Sequence, residues 1–179
     1  MSGSGNNKSV LTNEAFGYIK IGKVRFIGID AWRTGEEWVD LWERSGEFMP
    51  SLETLAMKYG TDITDNCSMM HHNGNEVDTE NHFLAGRFFK ADTPVPEGYD
   101  SYDVPTESAA YAVYTTNEYD GAIGSAYYAT RDKILADGVG IPYPHSYWHA
   151  EVYTNGRPSI GEVHRFGYMF SVDKKTLKK

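Results

Sequence analysis

The chain is poor in the features that announce most functions. It carries one cysteine, Cys67, among 179 residues, which forbids an intrachain disulfide and agrees with a reducing interior. No stretch approaches the ~20 apolar residues of a membrane-spanning helix, and the opening Met-Ser-Gly-Ser-Gly-Asn-Asn-Lys lacks the apolar core of a secretory signal. A cytoplasmic protein without membrane attachment is therefore expected. Positive charge is scarce: 17 Lys and Arg face 25 Asp and Glu, a net charge of −8. Direct binding to the polyanionic backbone of nucleic acid is not expected from such a balance. Also missing are a Gly-x-Gly-x-x-Gly turn after a strand, a Gly-Lys-Ser/Thr phosphate loop and a Gly-x-Ser-x-Gly elbow. Without them, nucleotide-coupled, redox and acyl-transfer chemistries lose their usual scaffolds, and no cofactor is expected. Cys67 follows Asn66 in an expected strand, without helix-N-terminal activation, and reads as a buried structural thiol.

Metal chemistry is poorly supported as well. His71, His72 and His82, with Glu76, Asp78 and Glu80 between them, form the densest group of potential ligands. Consecutive histidines on a strand point to opposite faces, and no Cys-x-x-Cys pair is present, so no metal site is expected.

Aromatic side chains are abundant, at 14% of residues with 13 Tyr and 4 Trp. A core of this size does not require so many rings, whereas pockets and interfaces use them. Hydrophobic content of 40% with 23% charged excludes disorder.

The pattern along the chain predicts a flexible tail over residues 1–17, one domain over 18–173 and a basic solvated tail over 174–179. A strand is expected from the β-branched and aromatic run that begins at 18–21 and continues through 24–29. Thr34-Gly-Glu-Glu37 reads as a capping box ahead of a helix carrying Trp38, Leu41 and Trp42 on one face. A second helical piece with Leu52, Leu55, Ala56 and Tyr59 stops at Gly60. Strands follow at 67–72 and 82–90, then a proline-marked connector, a strand at 109–116, a helix over 121–137 closed by Gly138, and strands at 146–153 and 165–172. The order strand–helix–strand–strand thus occurs twice, each element offset by roughly 80 residues from its counterpart. The expected fold is α+β: two such halves about a pseudo-two-fold, forming a curved antiparallel sheet with helices on one side and a ligand cleft where the halves meet.

Tyr147-Trp148-His149-Ala150-Glu151-Val152-Tyr153 is the most informative segment. Strand periodicity places Tyr147, His149, Glu151 and Tyr153 on one face and Trp148, Ala150 and Val152 on the other. Glu151 either lies in water on an edge strand or forms the anionic base of a ring-walled cavity suited to flat lipophilic cations. In the second case His149 and Tyr153 hold the carboxylate in orientation. Trp38 and Trp42 share a helix face, and Phe166, Tyr168 and Phe170 share a strand face. Their spacing serves a plain core as well as a pocket wall, with Trp42, Tyr147 and Tyr168 preferred as ring contacts. By correspondence of the halves, His71 occupies the place of Glu151 and is a further candidate for the cleft.

Glu151-Val152-Tyr153 ahead of the aromatic strand Phe166–Val172 resembles the end of the GyrI-like small-molecule-binding domains, the fold of AraC-type and multidrug-responsive effector domains. Trp42, Tyr59-Gly60, Leu84-Ala85-Gly86, Pro96-Glu97-Gly98 and Tyr111-Ala112-Val113 fit the same order, and the resemblance spans roughly residues 20–173. It implies that Glu151 contacts a ligand. The chain departs from the family at Ser171, where a proline is usual, and at Lys133-Ile-Leu-Ala136, which lacks a Trp-Leu pair.

The function expected is that of a stand-alone bacterial binding module for bulky, often cationic aromatic compounds, serving transcription regulation or sequestration. No DNA-binding helix-turn-helix is expected, so a regulatory role needs a protein partner or a second copy. Two alternatives stay open. One is hydrolysis of strained, cyclopropane-containing genotoxins with Glu151 as general base or water-positioner, which some GyrI-like proteins resembling this one carry out. The other is inhibition of a gyrase through a protein interface.

Overall fold

A computed structural model describes residues 10–72, 81–117, 119–142, 147–153 and 164–173. Eight strands form one antiparallel curved sheet: β1 (Leu11–Lys20), β2 (Val24–Asp30), β3 (Asn66–His72), β4 (Asn81–Lys90), β5 (Asp100–Asp103), β6 (Ser108–Thr116), β7 (Trp148–Tyr153) and β8 (His164–Ser171). Among the described residues four α-helices accompany it, α1 (Ala31–Thr34), α2 (Trp38–Glu43), α3 (Met49–Tyr59) and α4 (Tyr119–Ala136), with a 3-10 turn at Ser45–Glu47.

The strand order is β1-β6-β8-β7-β3-β4-β2-β5. Read outward from the β3–β7 seam, each half repeats the same sequence of roles, β7-β8-β6 on one side and β3-β4-β2 on the other. This is the predicted duplication. A two-fold relation of this kind requires antiparallel pairing at the seam, and Cys67 indeed pairs with Val152 and Ser68 with Glu151 in that sense.

Both faces of the sheet are apolar, because the strands alternate two sets of buried side chains. Ile27, Ile29, Phe89, Tyr114, Phe166 and Phe170 pack beneath the helices against Leu41, Trp42, Leu52, Ala126 and Ile134. The opposite set, including Phe26, Met69, Leu84, Phe88, Trp148, Val152 and Met169, meets no helix residue within its cluster and is covered by connector residues such as Ile63 and Val104. Cys67 belongs to this second set, fully buried, and burial pushes its thiol pKa well up. It is a structural thiol, as read from the sequence.

Several boundaries differ from expectation. The first strand begins at Leu11, so the segment 11–17 is paired to Tyr111–Thr116 of β6 and is not a tail. Its sequence hid it: this is an edge strand, and Thr12 to Ala15 are all exposed, which erases the alternation. β5 was also unforeseen, a four-residue strand of Asp-Ser-Tyr-Asp lying along β2. Thr34 does not cap a helix start. It ends α1, whose N-cap is Asp30 accepting from the Trp32 amide at 3.0 Å, and Gly35 terminates that helix at φ 71°. Thr-Gly therefore marks a stop, and α2 starts from Glu37 without a side-chain cap.

At the far end of α4 the pattern holds. The Gly138 amide donates to the Leu135 carbonyl and the Val139 amide to that of Ile134, with Gly138 at φ 72°. These are the two hydrogen bonds of a Schellman stop. Ser171, where the resemblance expects proline, accepts the Trp148 amide at 3.0 Å and so pins the start of β7 to the end of β8. Residues 1–9 of the tail predicted over 1–17, and all of the tail predicted over 174–179, lie outside the described residues. Among the described residues no helix is long and apolar enough to cross a membrane.

Candidate functional site

Strand β7 supplies the site. Its pleat, with Tyr147 just before it, sends Tyr147 and Tyr153 into the helix-side cluster and Trp148, Ala150 and Val152 into the opposite one, so Glu151 and His149 share a face with the two tyrosines as predicted, and that face is the helix side. Register then chooses their neighbours. Glu151 stands between Ser68 of β3 and Tyr168 of β8, and His149 between Met70 and Phe170. These four residues fall on the same face as Glu151, since paired positions in an antiparallel ladder share a face.

The result is a concavity of about 390 Å³ lined by Met70, Ile123, Gly124, Tyr127, Tyr147, His149, Glu151 and Tyr168. Both halves contribute, because Met70 comes from the first and the other seven from the second. Glu151 is half-buried here and does not stand in open water on an edge. The rings are ordered against one another. His149 stacks on Tyr168 at 5.7 Å and on Phe170 at 5.4 Å, while Tyr127 meets His149 edge-on at 5.1 Å. Polar tips join the same lattice: Tyr168 Oη lies 2.9 Å from His149 Nδ1, and Tyr127 Oη lies 3.0 Å from Tyr147 Oη. Ring faces next to a carboxylate make a surface attractive to a cation with an apolar body.

Behind the concavity a hydrogen-bond chain fixes the acid. Trp42 Nε1 donates to Ser68 Oγ at 2.8 Å, Ser68 Oγ lies 2.9 Å from Tyr153 Oη, and Tyr153 Oη donates to Glu151 Oε2. Trp42 can only donate and an ionised carboxylate only accepts. The two hydroxyls between them must therefore point the same way, Ser68 donating to Tyr153 and Tyr153 to Glu151. Trp42 also packs edge-on against the Tyr153 ring at 5.2 Å. Its helix is anchored by Arg44, whose guanidinium reaches both oxygens of Glu36 at 2.6 Å and holds that carboxyl well below its usual range, at about 2.

The residues singled out from the sequence thus part company. Glu151, Tyr147, His149 and Tyr168 come together on the concavity. Tyr153 and Trp42 support the acid from behind, and Trp42 is buried at 6% exposure. Phe166 is fully buried against Tyr114 and belongs to the core, and Trp38 packs on Phe83, the cross-strand neighbour of Met70, without lining the concavity itself. His71 is displaced furthest from its expected role. It pairs with Trp148 and therefore lies on the opposite face from Glu151, stacked on Tyr102 at 3.8 Å and on His82 at 4.9 Å. Correspondence between halves gave the strand correctly but not the residue parity, and one residue of slip reverses the face. Glu76, Asp78 and Glu80 lie outside the described residues.

Sequence reasoning missed Ser68, Met70, Ile123, Gly124 and Tyr127 as site residues. Ile123 and Tyr127 are four residues apart and share a face of α4, a periodicity that the sequence itself carries. Ser68 and Met70 required the β3–β7 register, which no local signal encodes.

Comparison with solved structures agrees with this architecture. A Staphylococcus aureus MU50 protein described as a bacterial transcription regulation protein aligns with a TM-score of 0.58 and 13% identity, covering 89% of this chain and 98% of its own. SAV2435 bound to tetraphenylphosphonium aligns at 0.59 and 13%, over 92% and 97% of the two chains. An integron cassette protein from the mobile metagenome of Vibrio cholerae aligns at 0.50 and 11%, over 91% and 99%. The predicted fold is the observed fold. At these identities the likeness speaks for architecture alone. No family model and no curated protein matches the sequence significantly.

Proposed function

We propose that this chain is a small-molecule-binding domain whose Glu151 concavity takes lipophilic aromatic cations. The observation that carries the reading is the oriented carboxylate: a half-buried acid among rings, held by Tyr153, Ser68 and Trp42 with its charge directed at a hollow. A carboxylate taken out of water loses hydration that a cationic guest restores, and the ring faces stabilise the same charge. That a structure of the same fold holds tetraphenylphosphonium supports the class of guest. The likeness to a protein described in terms of transcription regulation supports a role in which uptake of the compound is sensed or the compound is sequestered.

Calorimetric titration with tetraphenylphosphonium and with the uncharged triphenylphosphine oxide tests the electrostatic role. Glu151→Gln should weaken the cation about tenfold or more, the scale of a charge-assisted contact, and the neutral compound about twofold at most. Equal losses for both guests would refute it.

A further inference from the structure

The opposite face of the sheet carries a second and larger cavity, of about 620 Å³. That volume lies within the range of small-molecule sites. Its floor is apolar and comes from both ends of the chain: Ile19 and Ile21 at the end of β1, Ile63 from the α3–β3 connection, Tyr111 of β6, and Val152 and Met169 of β7 and β8. Tyr111 lies flat on the sheet because position 167 is glycine. A Cβ there would fall 2.6 Å from Tyr111 Oη and 2.7 Å from a ring carbon. The ring therefore presents a level wall, and the tight β1–β2 turn beside it is held by the Ile21 and Gly22 amides, which both donate to the Glu107 carbonyl.

The charged lining is uneven. Lys20, Lys23 and Lys90 line the cavity, and no ion pair links any of them to another described residue. Lys90 ends β4 opposite Val24, whose side chain lies in the cluster beneath this face, so strand register turns Lys90 toward the cavity. The acids on the other wall are Asp62, which is exposed, and Asp65, whose pKa burial raises while the charge of Arg87, which also stands 3.6 Å from Glu53, opposes that rise in part. Three ammonium groups without an ion pair outnumber these two carboxylates and leave a net positive rim above an apolar floor.

We infer that this second cavity binds amphiphilic monoanions, with a flat or aliphatic body against Tyr111, Val152 and Met169 and a carboxylate or sulfonate at the lysine rim. The charge preference is the reverse of that proposed for the Glu151 concavity, and the two sites lie back to back: Val152 follows Glu151 in β7, and Met169 follows Tyr168 in β8. The assignment does not depend on a cation binding at Glu151.

Fluorescence titration of the full chain with 8-anilinonaphthalene-1-sulfonate, and with the uncharged N-phenyl-1-naphthylamine, tests it. Saturable binding of the sulfonate is expected, displaced by dodecanoate and not by tetraphenylphosphonium. Lys90→Glu, an exposed change at a strand end, should weaken the sulfonate about tenfold, or 1.4 kcal/mol, and the uncharged dye about twofold at most. Ile63→Trp, checked for folding by circular dichroism, should weaken both dyes by filling the cavity, and Glu151→Gln should leave both unchanged. Absence of saturable sulfonate binding would overturn the inference. So would binding indifferent to Lys90→Glu, or binding lost with Glu151→Gln, which would place the dye in the other hollow.

Discussion

Ser68 shows what one small side chain can decide. It is 2% exposed, and its hydroxyl is the middle link between Trp42 Nε1 and Tyr153 Oη. Ser68→Ala leaves the Trp42 donor without its acceptor in a buried place, a loss of about 1–3 kcal/mol, readable as a lower urea midpoint. It also frees Tyr153 to turn away from Glu151, so tetraphenylphosphonium affinity should fall more than stability alone explains at temperatures where the variant is fully folded. A loss of stability with unchanged affinity would show the chain to be a packing device only. At this scale the sequence was half legible. Alternation along β7 identified Glu151, His149 and Tyr147 because period-two geometry is local. Ser68 was silent because its importance lies in a partner 85 residues away.

Elements were most legible where their burial was uniform and least where they lay on an edge. β2, β4, β6 and β8 are buried on both sides and rich in aromatic and aliphatic residues, and all four were found within a residue or two of their bounds. β5 was not, since Asp-Ser-Tyr-Asp between prolines carries only one apolar side chain. Glycine carries an element-scale message that its composition alone does not. Gly28 and Gly86 face each other across β2 and β4, and a Cβ built on either one runs into the other strand's backbone at Ala85 or Ile27. Flexible side chains can yield to such a clash, but a paired strand cannot. Gly86→Ala should therefore cost about 3 kcal/mol, the upper part of the usual range for overpacking. Thermal unfolding would show it. A melting temperature within a degree or two of the unmodified chain would mean that the two strands can separate locally without penalty.

At the scale of the molecule, the two halves are bound together by exchange as well as by packing. β1 precedes the first half in sequence yet lies at the outer edge of the second, along β6. The segment 11–17, expected to be a tail, is thus the seam's counterpart at the far edge. Leu11–Gly17 pair with Tyr111–Thr116, the Val10 amide donates to Asn117 Oδ1 at 2.8 Å, and Glu14 accepts from Arg165 Nε at 2.8 Å and from Thr115 Oγ1. Phe16 packs against the helix-side core. These contacts all involve residues from 10 onward, so a chain that starts at residue 10 is the reference against which loss of 11–17 is read. Removing residues 1–17 strips Tyr111–Thr116 of β6 of their outer partner, exposing a row of backbone donors and acceptors beside Ala112 and Tyr114, both normally buried. Such a row is a template for another strand. The longer truncation should therefore melt lower and self-associate in sedimentation velocity, whereas a monomer of unchanged stability would show that 11–17 contributes nothing to the sheet it borders.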